Sequence, residues 1–329
     1  MKKVTLEDIA KECGVTKGAV SRALAGKYNV SKEMTYMIKK KALEMGYNFN
    51  KLKVSKKVNR KVLILCPSRL FFKENFWITI IKSSADKLSE SGINTEYFIY
   101  DENNIEDSLA NLNKGHYCAY IVIHYNVRAL MDALSKQCIP TVVVDPKFYG
   151  GDATYIKFSN FDSSYKATQY LIDKGHRRIV FYGSNEHSTS FKERFNGYIS
   201  AVNSYENIEH YEIIFDNSNK YYADNEKFKK ALQDFKPTAV VCANDLIAIN
   251  AYRVIKALGL KIPDNISVVG FDNVQDAENI NPKLTTFNIP LKEIGEETAD
   301  YLINIIEKNK ISFSEVVVRC AMIERESVK

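Results

Sequence analysis

The sequence predicts a small all-α head followed by a larger α/β body built on parallel sheets. Apolar residues recur at helical spacing before residue 47, whereas short β-branched runs alternate with amphipathic stretches after residue 61. The 329 residues exceed what one compact core accommodates, and a hydrophobic content of 45% is enough to fill several cores. Extensive disorder is therefore not expected.

The positive charge of the sequence is concentrated in the head. Residues 1–61 contain 16 Lys and Arg against 5 Asp and Glu, a net charge of +11, whereas the remainder carries −5. Lysine and arginine displace the counterions condensed on nucleic acids, which supplies most of the affinity that is independent of base sequence. The head is therefore expected to bind a polyanion, although charge alone does not separate DNA from RNA or an anionic membrane.

Three short helices are predicted in the head. Thr5 and Asp8 form a capping box, and the helix that follows them ends at Gly14. Thr16 is a natural N-cap for a second helix, and Ser31 is one for a third. The apolar residues have the spacing of one buried face on each helix: Leu6, Ile9, Ala10, Cys13, Val20, Ala23, Leu24, Met34, Ile38, Ala42 and Met45.

The first two helices fit a helix-turn-helix motif. A tight turn that contains glycine joins them, and in this motif the N-terminal residues of the second helix reach base edges in the major groove. The outward positions of the second helix are Lys17, Gly18, Ser21 and Arg22. A three-helix protein-interaction module has the same pattern, and the excess of positive charge favours DNA binding over that alternative.

The motifs of the head resemble those of the lactose-repressor (LacI) family. The matching segments are VTLEDIA (4–10), GVT (14–16), VSRAL (20–24), VS (30–31) and GY (46–47). The resemblance implies base contacts from Lys17, Gly18 and Arg22. It also implies phosphate contacts from Thr5, Thr16, Ser21, Asn29 and Ser31. Because Gly18 has no side chain, Lys17 and Arg22 would make the direct contacts, with guanine O6 and N7 as partners.

The segment after the head departs from the family pattern. Family members continue with a proline and a hinge helix whose Ala-Arg-x-Leu run places a leucine in the minor groove, whereas Phe49 replaces the proline and residues 53–56 are KVSK. Leu52 or Val54 is a candidate for a shifted apolar wedge, a common device among minor-groove binders. Equally, residues 48–60 are interpreted as a flexible basic linker that follows phosphates. Both interpretations stay open.

Six short apolar runs in the body are predicted to be buried parallel strands. They are residues 62–65, 120–123, 141–144, 179–182, 239–242 and 267–270. Amphipathic stretches such as 79–91 and 164–174 lie between them and are predicted helices. This alternation places helices on both faces of parallel sheets, in which ligands bind outside the carboxyl ends of the strands.

The body resembles the sensor domain of the same family, which is similar to type I periplasmic binding proteins. The matching segments are LIDKGHRRI (171–179), ERFNGY (193–198), AND (243–245), IPDNISVVGFD (262–272) and PKLTT (282–286). The resemblance implies two α/β lobes crossed by three strands, with a ligand cleft between them. The expected domains are a head over 1–47, a hinge over 48–60 and a sensor over 61–329. Within the sensor, lobe 1 would span about 61–160 and 291–312, and lobe 2 about 161–290 and the C-terminal segment.

The resemblance also implies that three polar side chains bind the ligand: Arg194, Asn244 and Asp272. A guanidinium donates hydrogen bonds, an amide both donates and accepts, and a carboxylate accepts, so the set suits vicinal hydroxyl groups. Each residue also has a structural interpretation. Asp272 could form a turn, Arg194 could make an ion pair on a helix surface, and Asn244 could be a helix N-cap.

Further ligand contacts are predicted elsewhere in the body. Phe76 and Trp77 fall where the family often carries an aromatic pair after the first strand, and either a stacking platform or core packing explains them. Asp145, which follows a predicted strand, is a second candidate. Ser190 and its neighbour Ser188 are a third.

Several function classes find no support in the sequence. The six cysteines are scattered without metal-ligand spacing, so no metal ion, cofactor or disulfide is expected. Nucleotide-binding and hydrolase motifs are absent, and His176 at a helix-to-strand turn is interpreted as structural, so an enzyme is not expected. No apolar run approaches the roughly 20 residues of a membrane helix, and no signal peptide is apparent. These features predict a cytoplasmic protein without a membrane partner and disfavour a solute-binding protein.

These predictions combine into a transcription regulator. The protein is expected to be a homodimer that represses by occupying a pseudo-palindromic operator in double-stranded DNA. A sugar or nucleoside-like effector between the two lobes would shift the dimer between states of different DNA affinity. The alternative is a sensor that responds to a partner protein or to no ligand. The sequence leaves open the effector, the operator and the choice between dimer and tetramer.

Overall fold

The computed structural model describes most of the chain. The described residues are 4–24, 30–47, 60–71, 75–112, 117–124, 127–137, 139–149, 153–184, 188–215, 225–308 and 314–329. The chain divides into two compact units. Unit 1 comprises residues 1–157 and 291–316, and unit 2 comprises residues 158–290 and 317–329. The chain therefore passes from one unit to the other three times.

Thirteen helices lie in the described part of the chain. They are α1 (Leu6–Cys13), α2 (Lys17–Leu24), α3 (Lys32–Glu44), α4 (Ser68–Phe71), α5 (Asn75–Glu90), α6 (Ile105–Leu112), α7 (Arg128–Ser135), α8 (Asn160–Asp173), α9 (Thr189–Asn203), α10 (Asn225–Asp234), α11 (Asp245–Ala257), α12 (Gln275–Asn279) and α13 (Leu291–Lys308). None of these helices combines the length and the apolar character that crossing a membrane requires.

Twelve strands lie in the same described ranges. They are β1 (Lys61–Pro67), β2 (Asn94–Tyr100), β3 (Ala119–Ile123), β4 (Thr141–Val144), β5 (Thr154–Phe158), β6 (Arg178–Gly183), β7 (Glu209–Ile214), β8 (Ala239–Cys242), β9 (Ser267–Val269), β10 (Thr286–Asn288), β11 (Glu315–Val318) and β12 (Ala321–Ile323).

The head has a small core of its own. Helices α1, α2 and α3 pack together and confirm the three helices predicted from the sequence. Gly14 ends α1 in the left-handed conformation, with φ at 63°, as expected for a C-terminal glycine. The fully buried side chains of this core are Ile9, Val20, Ala23, Ile38 and Ala42.

Unit 1 contains a six-stranded sheet in the order β11-β5-β4-β3-β1-β2. The pairs β1–β2, β1–β3, β3–β4 and β4–β5 are parallel. The central strands β3 and β4 are buried along their whole length, so they carry continuous apolar runs that are visible in the sequence. Helices α5 and α13 pack against each other in this unit.

Unit 2 contains a four-stranded parallel sheet in the order β7-β6-β8-β9. A short antiparallel pair, β10 with β12, accompanies it. The strand predicted at 267–270 is confirmed over Ser267–Val269, and Gly270 lies outside it. The carboxyl ends of these parallel strands meet at one edge of the sheet. The candidate ligand residues Asn244 and Asp272 lie shortly after the ends of β8 and β9.

Some elements differ from the sequence predictions. Helix α5 begins at Asn75 rather than Thr79, and α8 begins at Asn160 rather than Ser164. The first turn of α8 buries polar side chains, so the apolar periodicity does not register it. Strands β2 and β7, which were not predicted, lie at sheet edges, and nearly all of their residues are exposed or half-buried. Such strands lack the continuous apolar run that marks a central strand.

Helices α8 and α9 approach each other closely at Gly197. A Cβ atom at this position would lie 2.3 Å from the carbonyl oxygen of Phe161 and 3.0 Å from the backbone nitrogen of Tyr165. Both atoms belong to the α8 backbone, which cannot move aside as the end of a side chain can.

Gly197→Ala is therefore expected to destabilise unit 2 by about 1–3 kcal/mol, the usual cost of overpacking. Thermal unfolding followed by calorimetry measures this change. Gly18→Ala in α2 is the control, because its Cβ would meet no atom closer than 3.5 Å. An unchanged melting temperature for Gly197→Ala would contradict the close packing of α8 on α9.

Candidate DNA-binding and effector-binding sites

The outward face of α2 carries the predicted base-contacting residues. Lys17, Gly18 and Arg22 are exposed and Ser21 is half-buried, whereas Val20 on the opposite face is buried in the head core. Positions three and four residues apart share one face of a helix. The structure thus brings together the four residues that the sequence placed on this face.

Arg22 lies across the open position at Gly18. A Cβ atom on Gly18 would be 3.5 Å from Nη1 of Arg22, so the guanidinium occupies the space beside this backbone. The glycine lets the long side chain fold back toward the N-terminal end of α2. That end is the part of a recognition helix that reaches base edges.

Lys17 is paired with Glu7, a residue that the sequence pattern did not single out. The Nζ atom of Lys17 lies 2.7 Å from Oε1 of Glu7, and both side chains are mostly exposed. An exposed ion pair contributes little to stability, so Lys17 can exchange this carboxylate for a phosphate or a base. The two residues lie on different helices, and no short sequence pattern marks such a pair.

Three hydroxyls that were predicted to face phosphates cap the helices of the head. Thr5 Oγ1 accepts from the Asp8 amide at 3.3 Å, Thr16 Oγ1 from the Ala19 amide at 3.2 Å, and Ser31 Oγ from the Met34 amide at 3.2 Å. A capping oxygen acts as an acceptor, so a phosphate would use the hydroxyl hydrogen. In Thr5 that hydrogen is donated to Oδ2 of Asp8 at 2.7 Å.

Three further predicted DNA contacts lie outside the described residues: Asn29, Leu52 and Val54. The hinge predicted at 48–60 is described only at residue 60. The wedge and the basic linker therefore both stay predictions.

The candidate effector-binding site of unit 2 is organised around the side chain of Arg194, which is only 3% exposed. Its Nε donates to Oδ1 of Asn160 at 3.0 Å and its Nη1 donates to the Ala243 carbonyl at 2.7 Å. Its Nη2 lies 3.1 Å from Oδ1 of Asp272. Removing a guanidinium from water is costly unless it is paired and hydrogen-bonded, so burial requires these partners. The Arg194 side chain is therefore buried and does not lie on a helix surface.

Two aromatic rings flank the Arg194 guanidinium. Its central carbon lies 3.7 Å from the ring centroid of Phe271 and 5.6 Å from that of Phe191. The nearer ring attracts the positive charge through its π face and excludes water from one side of the group. Within the described residues these three polar bonds use three of the five N–H groups of the guanidinium, and the ligand role of Arg194 stays a prediction.

A strained turn after β9 places Asp272. The φ angles of Asp272 and Asn273 are 107° and 54°, in a region that residues with a side chain seldom adopt. Such residues cost about 1–3 kcal/mol each and persist only where the surroundings impose them. The Asp272 side chain is 16% exposed, so its carboxylate can contact both Arg194 and a ligand. Its turn position leaves the predicted ligand role possible, and that role stays a prediction.

Asn244 and Ser190 both have structural partners. Oδ1 of Asn244 accepts from the Ile247 amide at 3.0 Å and caps α11, so a ligand would meet the NH₂ group of this side chain. Buried Ser190 accepts from Nδ2 of Asn160 at 3.1 Å, and Ser188 caps α9. The ligand roles of these residues stay predictions.

Two buried residues of this network, Asn160 and Asp245, were not predicted from the sequence. Oδ1 of Asp245 accepts from the Thr286 hydroxyl at 2.6 Å, and Oδ2 accepts from the Val274 amide at 2.9 Å. Burial, and after it the negative charge of Asp272, raises the pKa of Asp245 from 3.8 to about 7. Asp245 therefore exchanges its proton in the neutral range.

In unit 1, His124 and Asp145 form a buried pair at the carboxyl ends of β3 and β4. Nδ1 of His124 lies 2.9 Å from Oδ2 of Asp145, and both residues have left-handed backbones, with φ at 48° and 51°. The ring of buried Trp77 lies 5.4 Å from that of His124 and 4.9 Å from that of Phe76. The structure thus brings Phe76, Trp77 and Asp145 together and adds His124, which was not predicted from the sequence.

No metal site emerges from the part of the chain that the structure describes, in which no group of three or more His, Cys, Asp and Glu side chains could hold an ion. His176 lies between α8 and β6, where its Nδ1 is 3.0 Å from Oγ1 of Thr238. Burial lowers its pKa. The structural role of His176 stays a prediction.

Comparison with known proteins identifies the family. Residues 5–50 match the family of bacterial regulatory proteins, lacI family, and residues 168–328 match a periplasmic binding protein-like domain. A probable HTH-type transcriptional repressor, ExuR of Bacillus subtilis, is 30% identical over an alignment that covers 99% of this chain and 98% of the relative. The chain belongs to the LacI family.

Other LacI-family proteins match along the whole chain. The HTH-type transcriptional regulator CelR of Thermobifida fusca is 27% identical, with 98% of both chains covered. A solved structure of a transcriptional regulator CelR–cellobiose complex superposes with a TM-score of 0.68 at 26% identity, covering 99% of this chain and 100% of that one. The Lac repressor dimer bound to operator shares the fold, with a TM-score of 0.67 at 21% identity over 99% of both chains. This LacI-family chain is therefore a DNA-binding transcription regulator with a sensor domain, and not an enzyme.

The contribution of Asp245 to the stability of this LacI-family protein is expected to fall as the pH rises from about 5 to about 7. The unfolded chain releases the Asp245 proton above about pH 4, whereas the folded protein holds it until about pH 7. Stability from this group is therefore complete below the unfolded pKa and is lost as the pH rises through the folded one, by roughly 1 kcal/mol per pH unit.

Denaturant unfolding of the wild type and of Asp245→Asn, which cannot titrate, isolates this contribution. The wild type should lose stability relative to the variant up to about pH 7, and the difference should level off above it. A difference that stays constant over this range would show that the pKa of Asp245 is not raised.

Proposed function

We propose that this chain is a homodimeric repressor that occupies a pseudo-palindromic operator through α2 and changes its operator affinity when a polyhydroxy small molecule binds. The observation that carries the proposal is the buried Arg194 guanidinium beside Asp272, at the edge of a parallel sheet where the strands end. Ligands of α/β proteins bind at such edges. The exposed cationic face of α2 supports the operator contact.

The proposed effector is a sugar or a nucleoside. Remaining N–H groups of Arg194 donate, oxygens of Asp272 accept, and the NH₂ group of Asn244 donates a further hydrogen bond. Vicinal hydroxyl groups both donate and accept, so they can satisfy this mixed set at once. The cellobiose complex of CelR, a relative at 26% identity, supports a carbohydrate.

Unit 1 has a group of proposed ligand residues of its own. His124 and Asp145 offer polar atoms at the ends of β3 and β4, and the ring of Trp77 beside them is suited to an apolar sugar face. Phe76 packs against Trp77 and supports its position. In unit 2, Ser190 completes the proposed set.

A homodimer is proposed because the described surface exposes large apolar side chains. On unit 1, Ile78 of α5 and the β2 residues Tyr97 and Ile99 are exposed, and on unit 2, Leu246 of α11 is exposed. The unit 1 residues come from α5 and β2, which pack against each other, and an exposed apolar cluster of this kind favours a surface that another copy of the chain covers. Two heads related by a two-fold axis would contact the two halves of an inverted repeat.

Selection of bound duplexes from a randomised pool tests both halves of the proposal. The full-length protein is expected to enrich an inverted repeat, and one member of a panel of sugars and nucleosides is expected to change that enrichment. An inverted repeat that is indifferent to every compound would contradict the effector half and favour a sensor for a partner protein. No enriched repeat would contradict the operator half.

Arg22→Ala is expected to weaken binding to the selected operator by about 1–3 kcal/mol and to relax the preference at one base position. Arg22→Lys is the matched control, since it keeps the charge but loses the planar fork that contacts guanine. It should retain most of the salt-dependent affinity and lose the base preference. Fluorescence anisotropy with the operator and single-base variants measures both effects. Unchanged affinity and preference in Arg22→Ala would contradict the role of α2.

Asp272→Asn is expected to weaken effector binding by about 1.5–3 kcal/mol, the usual contribution of hydrogen bonds to a charged group. Asp276→Asn on α12 is the control, because this nearby aspartate is exposed. Calorimetric titration with the compound found in the selection measures the change, and thermal unfolding checks that both variants are folded. Equal effector affinity in the wild type and Asp272→Asn would remove Asp272 from the site.

A further inference from the structure

Asp245 holds both ends of the strained turn that carries Asp272. Its backbone amide donates to the carbonyl of Phe271, the residue before Asp272, at 2.8 Å. Its Oδ2 accepts from the amide of Val274, the residue after Asn273, at 2.9 Å. One buried residue therefore fixes the turn on either side of the two left-handed positions.

The other carboxylate oxygen of Asp245 is confined as well. Oδ1 accepts from the Thr286 hydroxyl at 2.6 Å. A Cβ atom on Gly270 would lie only 2.1 Å from the same oxygen, so the carboxylate rests against the bare backbone at this glycine. The side chain has little room to move, and the hydrogen bonds of Asp245 to Phe271 and Val274 link its position to that of the turn.

The charged and titratable groups around Asp245 come from several elements. The negative charge of Asp272, in the turn after β9, raises the pKa of Asp245, and the positive charge of Arg194, on α9, lowers it. Cys242 at the end of β8 and Tyr252 on α11 also lie within its electrostatic influence. Burial and the charge of Asp272 together raise its pKa, so its charge changes in the neutral range beside the Arg194–Asp272 pair.

We propose that Asp245 is a positioning residue for the effector site, which holds Asp272 against Arg194 and couples their geometry to its own protonation. The inference rests on the proposed function, since it acts through residues assigned to effector binding. When Asp245 is ionised, the Val274 amide and the Thr286 hydroxyl both donate to a full charge and hold the turn tightly. Protonation weakens these bonds and loosens the turn, so effector affinity falls toward acidic pH.

The first test needs no effector. In a ¹H–¹⁵N spectrum of the full-length protein labelled at arginine, the Arg194 Nε–H resonance is assigned by its loss in Arg194→Lys. This resonance is expected to titrate with a midpoint near 7 in the wild type. The titration should persist in Asp276→Asn, the exposed control, and disappear in Asp245→Asn. A flat profile in the wild type, or a titration that survives in Asp245→Asn, overturns the proposal.

Thr286→Val provides a second variant if Asp245→Asn does not fold. Valine nearly matches threonine in shape but cannot donate to Oδ1, so the ionised carboxylate loses a stabilising bond. The Arg194 titration should therefore move to higher pH. A purely structural role for Asp245 predicts no such movement, and an unchanged midpoint overturns the proposal.

Calorimetry at about pH 6 and pH 8 separates this inference from the proposed function. The probe is whichever of cellobiose, D-ribose and adenosine binds the wild type. Its affinity is expected to be up to about 10-fold higher at the upper pH, with the difference kept in Asp276→Asn and lost in Asp245→Asn. Equal affinities at both pH values overturn the coupling. If none of the three binds, the result counts against the proposed function, and the arginine spectrum decides the role of Asp245.

Discussion

Burial of the Arg194 charge is the constraint on which the sensor of this protein depends. A guanidinium withdrawn from water must be surrounded by acceptors, and the chain provides them from well-separated segments: Asn160 at the start of α8, the Ala243 carbonyl after β8 and Asp272 after β9. Parallel strands β8 and β9 bring Ala243 and Asp272 to one edge of the sheet in unit 2, and the packing of α8 on α9 brings Asn160 to Arg194. The fold thus assembles a group of donors and acceptors that no single segment contains.

The turn at Asp272 connects this charge to the rest of unit 2. Asp245 holds it from α11, and Arg325 holds it from the C-terminal segment, where one Nη donates to Oδ1 of Asn273 at 2.7 Å and the other to the Leu284 carbonyl at 2.8 Å. Strained backbone persists because several contacts impose it together. A ligand that changes the partners of Asp272 therefore acts on a turn tied to helices, to β10 and to the end of the chain.

The fold was predicted from the sequence more completely than the residues of the candidate effector-binding site. Central strands such as β3 and β4 are buried on both faces and are visible as apolar runs, whereas the edge strands β2 and β7 are mostly exposed or half-buried and were not predicted. Arg194, Asn244 and Asp272 were found because they lie in segments that resemble the family. Asn160, Asp245 and His124 were not, because their importance comes from burial and from partners distant in sequence. Glu7 was missed for the same reason, since only the folded head brings it to Lys17.

The central claim is that effector and operator binding are coupled through one protein, and thermodynamic reciprocity tests it most directly. The measurement is the calorimetric affinity of the full-length protein for the effector, made once with free protein and once with saturating operator. The account predicts that operator changes effector affinity by the same factor by which effector changes operator affinity. Identical effector affinities with and without operator would contradict it, since two sites that do not influence each other cannot form a switch.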